Sequence, residues 1–127
     1  MLTAEDARRA LDSGIDGIVV SNHGGRQVDG AIASLDALLE VRSALGPDPP
    51  VLMDGGIRGG ADVLKALALG ANAVLLGRPY VYGLAVGGQP GVDAVLQQLA
   101  AETDLTLALI GGTVARELDQ AWIAASS

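Results

Sequence analysis

The chain has no cysteine and no phenylalanine, and its 127 residues include only one tryptophan and two tyrosines. Without thiols there is no disulfide framework and no thiolate chemistry. With so few rings there is no platform on which nucleic-acid bases could stack, and the core has to be aliphatic. Positive charge is scarce too: eight Lys and Arg stand against fifteen Asp and Glu, for a formal net charge of −7 and a sequence pI near 4.4. No basic stripe remains to follow a phosphate backbone, so nucleic-acid binding is excluded. Long apolar runs are also missing. None approaches the roughly 20 residues needed to cross a bilayer, and the opening Met1-Leu2-Thr3-Ala4-Glu5-Asp6 is acidic where a secretory signal would be basic. The expectation is a cytoplasmic protein with no membrane contact and no metal site.

What the sequence does have is aliphatic content, half of it being hydrophobic, and 18 glycines. Its length allows one core, so residues 1–127 are read as one domain or a piece of one, in an α/β layered fold. Thr3 followed by Asp6 predicts a capped helix that Gly14 closes. Gly17-Ile18-Val19-Val20-Ser21 predicts a strand covered by helices on both faces, as in a parallel sheet. Asn22 to Ala33 has no apolar period and predicts a long loop. Ser34 is placed to cap a helix with an apolar face of Leu35, Leu38, Leu39, Arg42 and Leu45, ended by Gly46-Pro47. Val51 to Asp54 predicts a second strand, Ala61 to Leu69 a helix stopped at Gly70, and Ala73 to Leu76 a third strand. Pro79 predicts a short helical turn. Beyond a flexible Gly87-Gly88-Gln89-Pro90-Gly91 stretch, Val92 to Trp122 predicts a helix broken near Gly111-Gly112.

An internal repeat supports this order. The segment from Asp6 through Gly14 to Val20 lines up with that from Asp62 through Gly70 to Leu76 at a constant offset of 56 positions. A helix-strand unit recurring once per two steps suits a (βα) barrel or a doubly wound sheet. Three strands cannot close a barrel, which needs about eight, so the chain is read as part of one.

In parallel α/β folds the reactive groups gather in the loops after the strands. Here those loops are Asn22-His23-Gly24-Gly25-Arg26-Gln27, Gly55-Gly56-Ile57-Arg58-Gly59-Gly60 and Gly77-Arg78. The second and third have the composition of an anion site: glycines for close backbone approach, an arginine each, and helix N-termini whose N–H groups point at the ligand. The first holds the chain's only histidine, three residues before an arginine. Imidazole exchanges a proton near neutral pH, and guanidinium holds a carboxylate through paired hydrogen bonds. Together they suit proton abstraction from an anchored carboxylic acid. Asp54 either braces its loop or touches the ligand. Arg8, Arg9, Arg42 and Lys65 are expected on solvated faces, and Tyr80, Tyr82 and Trp122 packed under helices.

Ser21-Asn22-His23-Gly24-Gly25-Arg26-Gln27 resembles the signature of the FMN-dependent α-hydroxy-acid oxidases and dehydrogenases. Asp54-Gly55-Gly56-Ile57-Arg58 and Gly77-Arg78 are similar to that family's flavin-phosphate loops, and the likeness continues through Leu105 to Leu118. The resemblance implies strands six to eight of a TIM barrel with FMN as cofactor and a small L-2-hydroxy acid, oxidised to the 2-oxo acid, as substrate. It also implies His23 as the active-site base, Arg26 as partner of the substrate carboxylate, and Ser21 as a flavin contact. The phosphate would be held by Asp54, Gly55, Gly56, Ile57, Arg58, Gly77 and Arg78.

The chain departs from the family in what it does not contain. Relatives carry a Lys-Gly pair just upstream of the segment matching Leu2 to Asp6, and N-terminal strands that line the substrate pocket. Losing several oriented electrostatic groups, each worth on the order of 10²-fold, implies negligible turnover for this chain alone. An inosine-monophosphate-dehydrogenase-like barrel shares the Asp-Gly-Gly-Ile-Arg loop but depends on a catalytic Cys and lacks the Ser21-to-Gln27 signature. A third reading is a non-catalytic homo-oligomer, or a fragment pairing with the missing barrel half, that covers its unpaired sheet edges.

Overall fold

The computed structural model describes residues 1–123. Three strands, β1 (Ile18–Ser21), β2 (Val51–Asp54) and β3 (Ala73–Leu75), form one parallel sheet in that order. The register pairs Val19 with Leu52, Ser21 with Asp54, Leu52 with Ala73 and Asp54 with Leu75. Met1 extends the edge, its backbone bonded to Val19 and Ser21 of β1.

Among the described residues four α-helices accompany the sheet: α1 (Ala4–Asp12), α2 (Ser34–Leu45), α3 (Gly60–Ala68) and α4 (Arg78–Leu109). The repeat seen in the sequence is a repeat of helix ends. In α1 the Gly14 amide donates to Leu11 and the Ile15 amide to Ala10; in α3 the Gly70 amide donates to Leu67 and the Ala71 amide to Ala66. Both are Schellman closures, and the glycines supply the positive φ they need, 91° and 101°. Thr3 caps α1 as expected, its hydroxyl accepting from the Asp6 amide.

Ile18, Val20, Val51 and Met53 point toward the helices and are buried with Ala7, Ala37, Leu38, Val41 and Ala66. The opposite face is open, with Val19 38% and Leu75 42% exposed. Strands covered on both faces are therefore not what the described residues form: all the helices that bury this sheet pack on one side. Alternation, not continuous burial, is the observed pattern.

Several local expectations are corrected. Ser34 does not cap α2. Ala33 holds that position, and the buried Ser34 hydroxyl instead accepts the Asn22 amide at 3.0 Å. The inward face of α2 runs through Ala37, Leu38 and Val41, leaving Leu39 exposed. Pro79 opens a long helix rather than a short turn. That helix, α4, breaks at Gly87 and Gly88, whose backbone leaves helical geometry, and ends at Leu109 instead of continuing to Trp122. Its two segments meet where neither has a side chain, since a Cβ on Gly91 would lie 2.0 Å from the Gly83 carbonyl oxygen. Tyr80, Tyr82 and Trp122 are exposed, not packed under helices.

Arg42 is not solvated either. Its guanidinium donates to the carbonyls of Gly46, Pro49 and Gly70 at 2.8, 2.9 and 2.7 Å and to Asn72 Oδ1 at 2.7 Å. The same Asn72 oxygen accepts the Val51 amide at the start of β2. Burial lowers the Arg42 pKa from its usual value, yet guanidinium stays charged. Arg8, Arg9 and Lys65 are exposed as expected.

Candidate functional site

Each strand runs into a loop at the same rim of the sheet, and the loops are tied to one another by short polar contacts. Ser21 and Asp54, partners in register, join side chain to side chain, the serine hydroxyl donating at 2.6 Å. The same hydroxyl accepts the His23 amide at 3.0 Å. Asn22 Oδ1 accepts the Gly24 amide and Asn22 Nδ2 donates to the Ile32 carbonyl, which closes the long loop on itself. Arg78 reaches across to donate to the Gly24 carbonyl at 3.1 Å. A side chain at Gly55 would place its Cβ 2.9 Å from the Ser34 hydroxyl and 3.0 Å from Asn22 Oδ1, so the second loop can lie against the first only as glycine.

These contacts hold His23 in a left-handed backbone conformation, φ 55°, the only non-glycine with positive φ among the described residues. Histidine visits that region more readily than most residues, but the conformation persists only where its surroundings over-determine it, and such positions cluster at functional sites.

The three loops wall one cleft of about 910 Å³, lined by His23, Gly24, Arg26, Asp54 to Arg58, and Gly77 to Pro79, with Leu75, Val81 and Tyr82 at its apolar side. Three of the chain's eight basic residues thus face one cavity against a single carboxylate, in a chain whose net charge is −7. Local charge of the opposite sign to the whole focuses anions there. Open space lies where Gly56 and Gly77 would carry a Cβ, so an anion can approach the backbone at both.

Of the residues singled out in the sequence, Ser21 alone is not in the lining. Its hydroxyl lies between the Asp54 carboxylate and the His23 amide. Asp54 braces its loop through Ser21 and also lines the cleft.

One expectation about the loops needs correction. The N-terminus of α3 does not present its amides to a ligand. Asp62 Oδ2 accepts from Arg58 and Gly59 at 2.9 and 3.2 Å, and Glu102 Oε2, from α4, accepts from Gly60 at 3.1 Å. Carboxylates already occupy the positive end of that helix. Glu102 was not visible in the sequence because it lies 42 positions from its partner. Its pKa is held below the usual glutamate range by the Gln98 side chain and then by the Gly60 amide. Only α4, whose N-cap Gly77 has no side-chain cap, offers an uncapped helix start to the cleft. The donor set for an anion is therefore Arg58, Arg78 and the Gly77 end of α4. Among the described residues no cluster of His, Asp and Glu could hold a metal ion.

Residues 1–125 match the family described as FMN-dependent dehydrogenase. An L-lactate oxidase from Nostoc sp. is 54% identical over 123 residues, 97% of this chain and 34% of that protein. A peroxisomal (S)-2-hydroxyacid oxidase from Arabidopsis thaliana is also 54% identical, over 87% of this chain and 31% of its own length. Among solved structures, the monotopic membrane protein (S)-mandelate dehydrogenase superposes with a TM-score of 0.93 at 49% identity, covering 98% of this chain and 33% of that one. The chain spans about a third of the length of the relatives it matches, and its three parallel strands are that portion of their TIM-barrel framework. No helix among the described residues is long and apolar enough to cross a membrane. Since these relatives include a peroxisomal enzyme and a membrane-associated one, they do not carry the expectation of a cytoplasmic protein. By match, fold and loop motifs, the chain belongs to the FMN-dependent dehydrogenase family.

Proposed function

We propose that this chain supplies the phosphate-holding and proton-transferring rim of an enzyme that oxidises a small L-2-hydroxy acid to the 2-oxo acid with FMN. The observation that carries the reading is the convergence of Arg26, Arg58, Arg78 and His23 on one cleft in an acidic protein. A phosphate carrying up to two charges and a carboxylate both need cationic donors, and the open backbone at Gly56 and Gly77 fits the bulk of a phosphate. FMN, when bound, accepts the two electrons of the oxidation.

The chain's own groups do the rest. Arg58 and Arg78 hold the phosphate by charge-assisted hydrogen bonds. Arg26 orients the substrate carboxylate, and His23, fixed by Ser21 and Asn22, accepts the proton that the hydroxy acid loses. Ser21 serves by holding the His23 backbone and Asp54 rather than by direct contact. Relatives named lactate oxidase, (S)-2-hydroxyacid oxidase and mandelate dehydrogenase support this substrate class. We infer negligible turnover by this chain alone, since only three loops wall the cleft.

Flavin titration tests this reading. FMN should quench on binding, with Arg58→Ala and Arg78→Ala each weakening affinity by about tenfold or more. An L-2-hydroxy acid added anaerobically should bleach the bound flavin slowly, and His23→Ala should abolish the bleaching. Absence of FMN binding would sink the proposal. A second reading, a non-catalytic self-associating module, is favoured by the exposed apolar sheet face; a colourless oligomer with no such reaction would select it.

A further inference from the structure

Gly60 and Glu102 meet where α3 crosses α4, and the crossing is tight. A Cβ on Gly60 would lie 2.2 Å from the Thr103 nitrogen and 2.3 Å from the Glu102 carbonyl carbon, so the start of α3 rests on the backbone of α4. At this point the Glu102 carboxylate accepts the Gly60 amide at 3.1 Å through Oε2 and the Gln98 side-chain amide at 2.8 Å through Oε1. Two residues before Gly60 stands Arg58, whose own amide is held by Asp62. Arg58 lines the large cleft and also a smaller cavity of about 180 Å³ walled by Gln98, Leu99 and Glu102. The arginine that faces the anion cleft therefore rises from a three-residue segment, 58 to 60, whose every amide is spent on a carboxylate.

We propose that Glu102 is a positioning residue for the phosphate loop: by locking the Gly60 amide across the α3/α4 crossing, it fixes the direction in which Arg58 enters the cleft. The inference rests on the reading of that cleft as the flavin-phosphate site. Glu102 does not touch the ligand. A charge-assisted bond is worth more than a neutral one, and a glutamate carboxylate is ionised at neutral pH. Without it, the segment keeps the Asp62 bonds and the Gly60 packing but loses the polar tie to α4, and Arg58, which already borders both cavities, is held less firmly toward the large cleft.

The repeat provides an internal control. Glu40 of α2 accepts the Ala4 amide at the start of α1, at 3.4 Å, the counterpart of Gly60 at the offset of 56 positions. No residue of α1 lines the cleft, so Glu40 reports what such a lock does to stability alone.

The experiment measures affinity of the chain for FMN and for riboflavin, which lacks the phosphate, by flavin fluorescence quenching. The unsubstituted chain should prefer FMN. Glu102→Ala and Glu102→Asp, the latter too short to reach Gly60, should each cut that preference about tenfold with riboflavin affinity unchanged. Glu102→Gln retains an acceptor and should hold the preference to within about threefold, and Glu40→Ala should lower stability without altering it. If Glu102→Ala does not fold, Glu102→Asp carries the test. An unchanged preference in the Ala and Asp variants, or an equal fall in Glu40→Ala, would overturn the positioning role while leaving the phosphate site intact. No preference in the unsubstituted chain would instead overturn the phosphate reading itself, and this inference with it.

Discussion

Arg42 binds backbone that would otherwise have little to hold it. Its fork joins the turn after α2, through Gly46 and Pro49, to the turn after α3, through Gly70, and to Asn72, which itself starts β2. Hydrogen bonds from a charged donor contribute about 1.5–3 kcal/mol each when partly buried, and they are not additive. Arg42→Met keeps the aliphatic stem and should lower unfolding free energy by about 3 kcal/mol, read from urea denaturation; Arg42→Lys, lacking the planar fork, should recover less than half. A loss under about 0.5 kcal/mol would show the clamp to be idle. This role could not be read from the sequence, because its partners are main-chain oxygens that carry no residue signature. His23 was legible for the opposite reason, as the chain's only histidine, and Arg26 by its place three residues after it. Gly24 is a second sensitive position, with φ 64° and a would-be Cβ 2.9 Å from Arg78 Nη2. Gly24→Ala should cost about 1–2 kcal/mol from backbone strain alone and should displace Arg78 from the Gly24 carbonyl.

Helices and strands here are set by their punctuation. The Schellman glycines and the aliphatic triplets located β1, β2 and β3 to within a residue at each end, because strand ends coincide with glycines that the chain cannot do without. The α4 helix was legible only in part. Gly87 to Gly91 marked its break, but the helix before it was read only as a short turn at Pro79; it contains Gly83, and a glycine that enables helix packing looks in sequence like one that ends a helix. Gly60 makes the same point in energetic terms. Alanine is normally better than glycine inside a helix by about 1 kcal/mol, yet Gly60→Ala should destabilise by about 3 kcal/mol because its Cβ meets α4 backbone at 2.2 Å, a contact that can relax only by moving a helix. Differential scanning calorimetry should show a clear fall in Tm, and a rise would refute the crossing as described. The Glu102 lock adds a pH dependence. Its folded pKa is lowered, so its stabilisation is present above the ordinary glutamate range and is lost as the pH falls through the lowered value. Glu102→Gln should therefore flatten the acid limb of the stability profile.

The whole molecule exposes 7924 Å², whereas a folded monomer of 12.8 kDa is expected to expose about 6,300 Å². The excess lies in part on the open sheet face with Val19 and Leu75, and on α4, where Val86 is 91% exposed. That excess is about twice the roughly 800 Å² that each partner contributes to a specific association. The chain should associate with itself through this face. Light scattering at micromolar concentration should find more than one copy per particle, and a strict monomer would count against this. Charge segregation at this scale was readable from the sequence only as three arginine-bearing loops. That they share a cavity follows from the parallel register, which brings every strand's carboxyl end to one rim.

In the proposed function this rim holds a flavin phosphate between Arg58 and Arg78, with His23 and Arg26 facing the reacting end. A crystal structure of the chain with FMN tests it most directly. The phosphate should lie within hydrogen-bond distance of both arginines and beside Gly77, with the ring system extending toward His23. Phosphate seated away from both arginines, or a flavin bound on another face of the molecule, would contradict it.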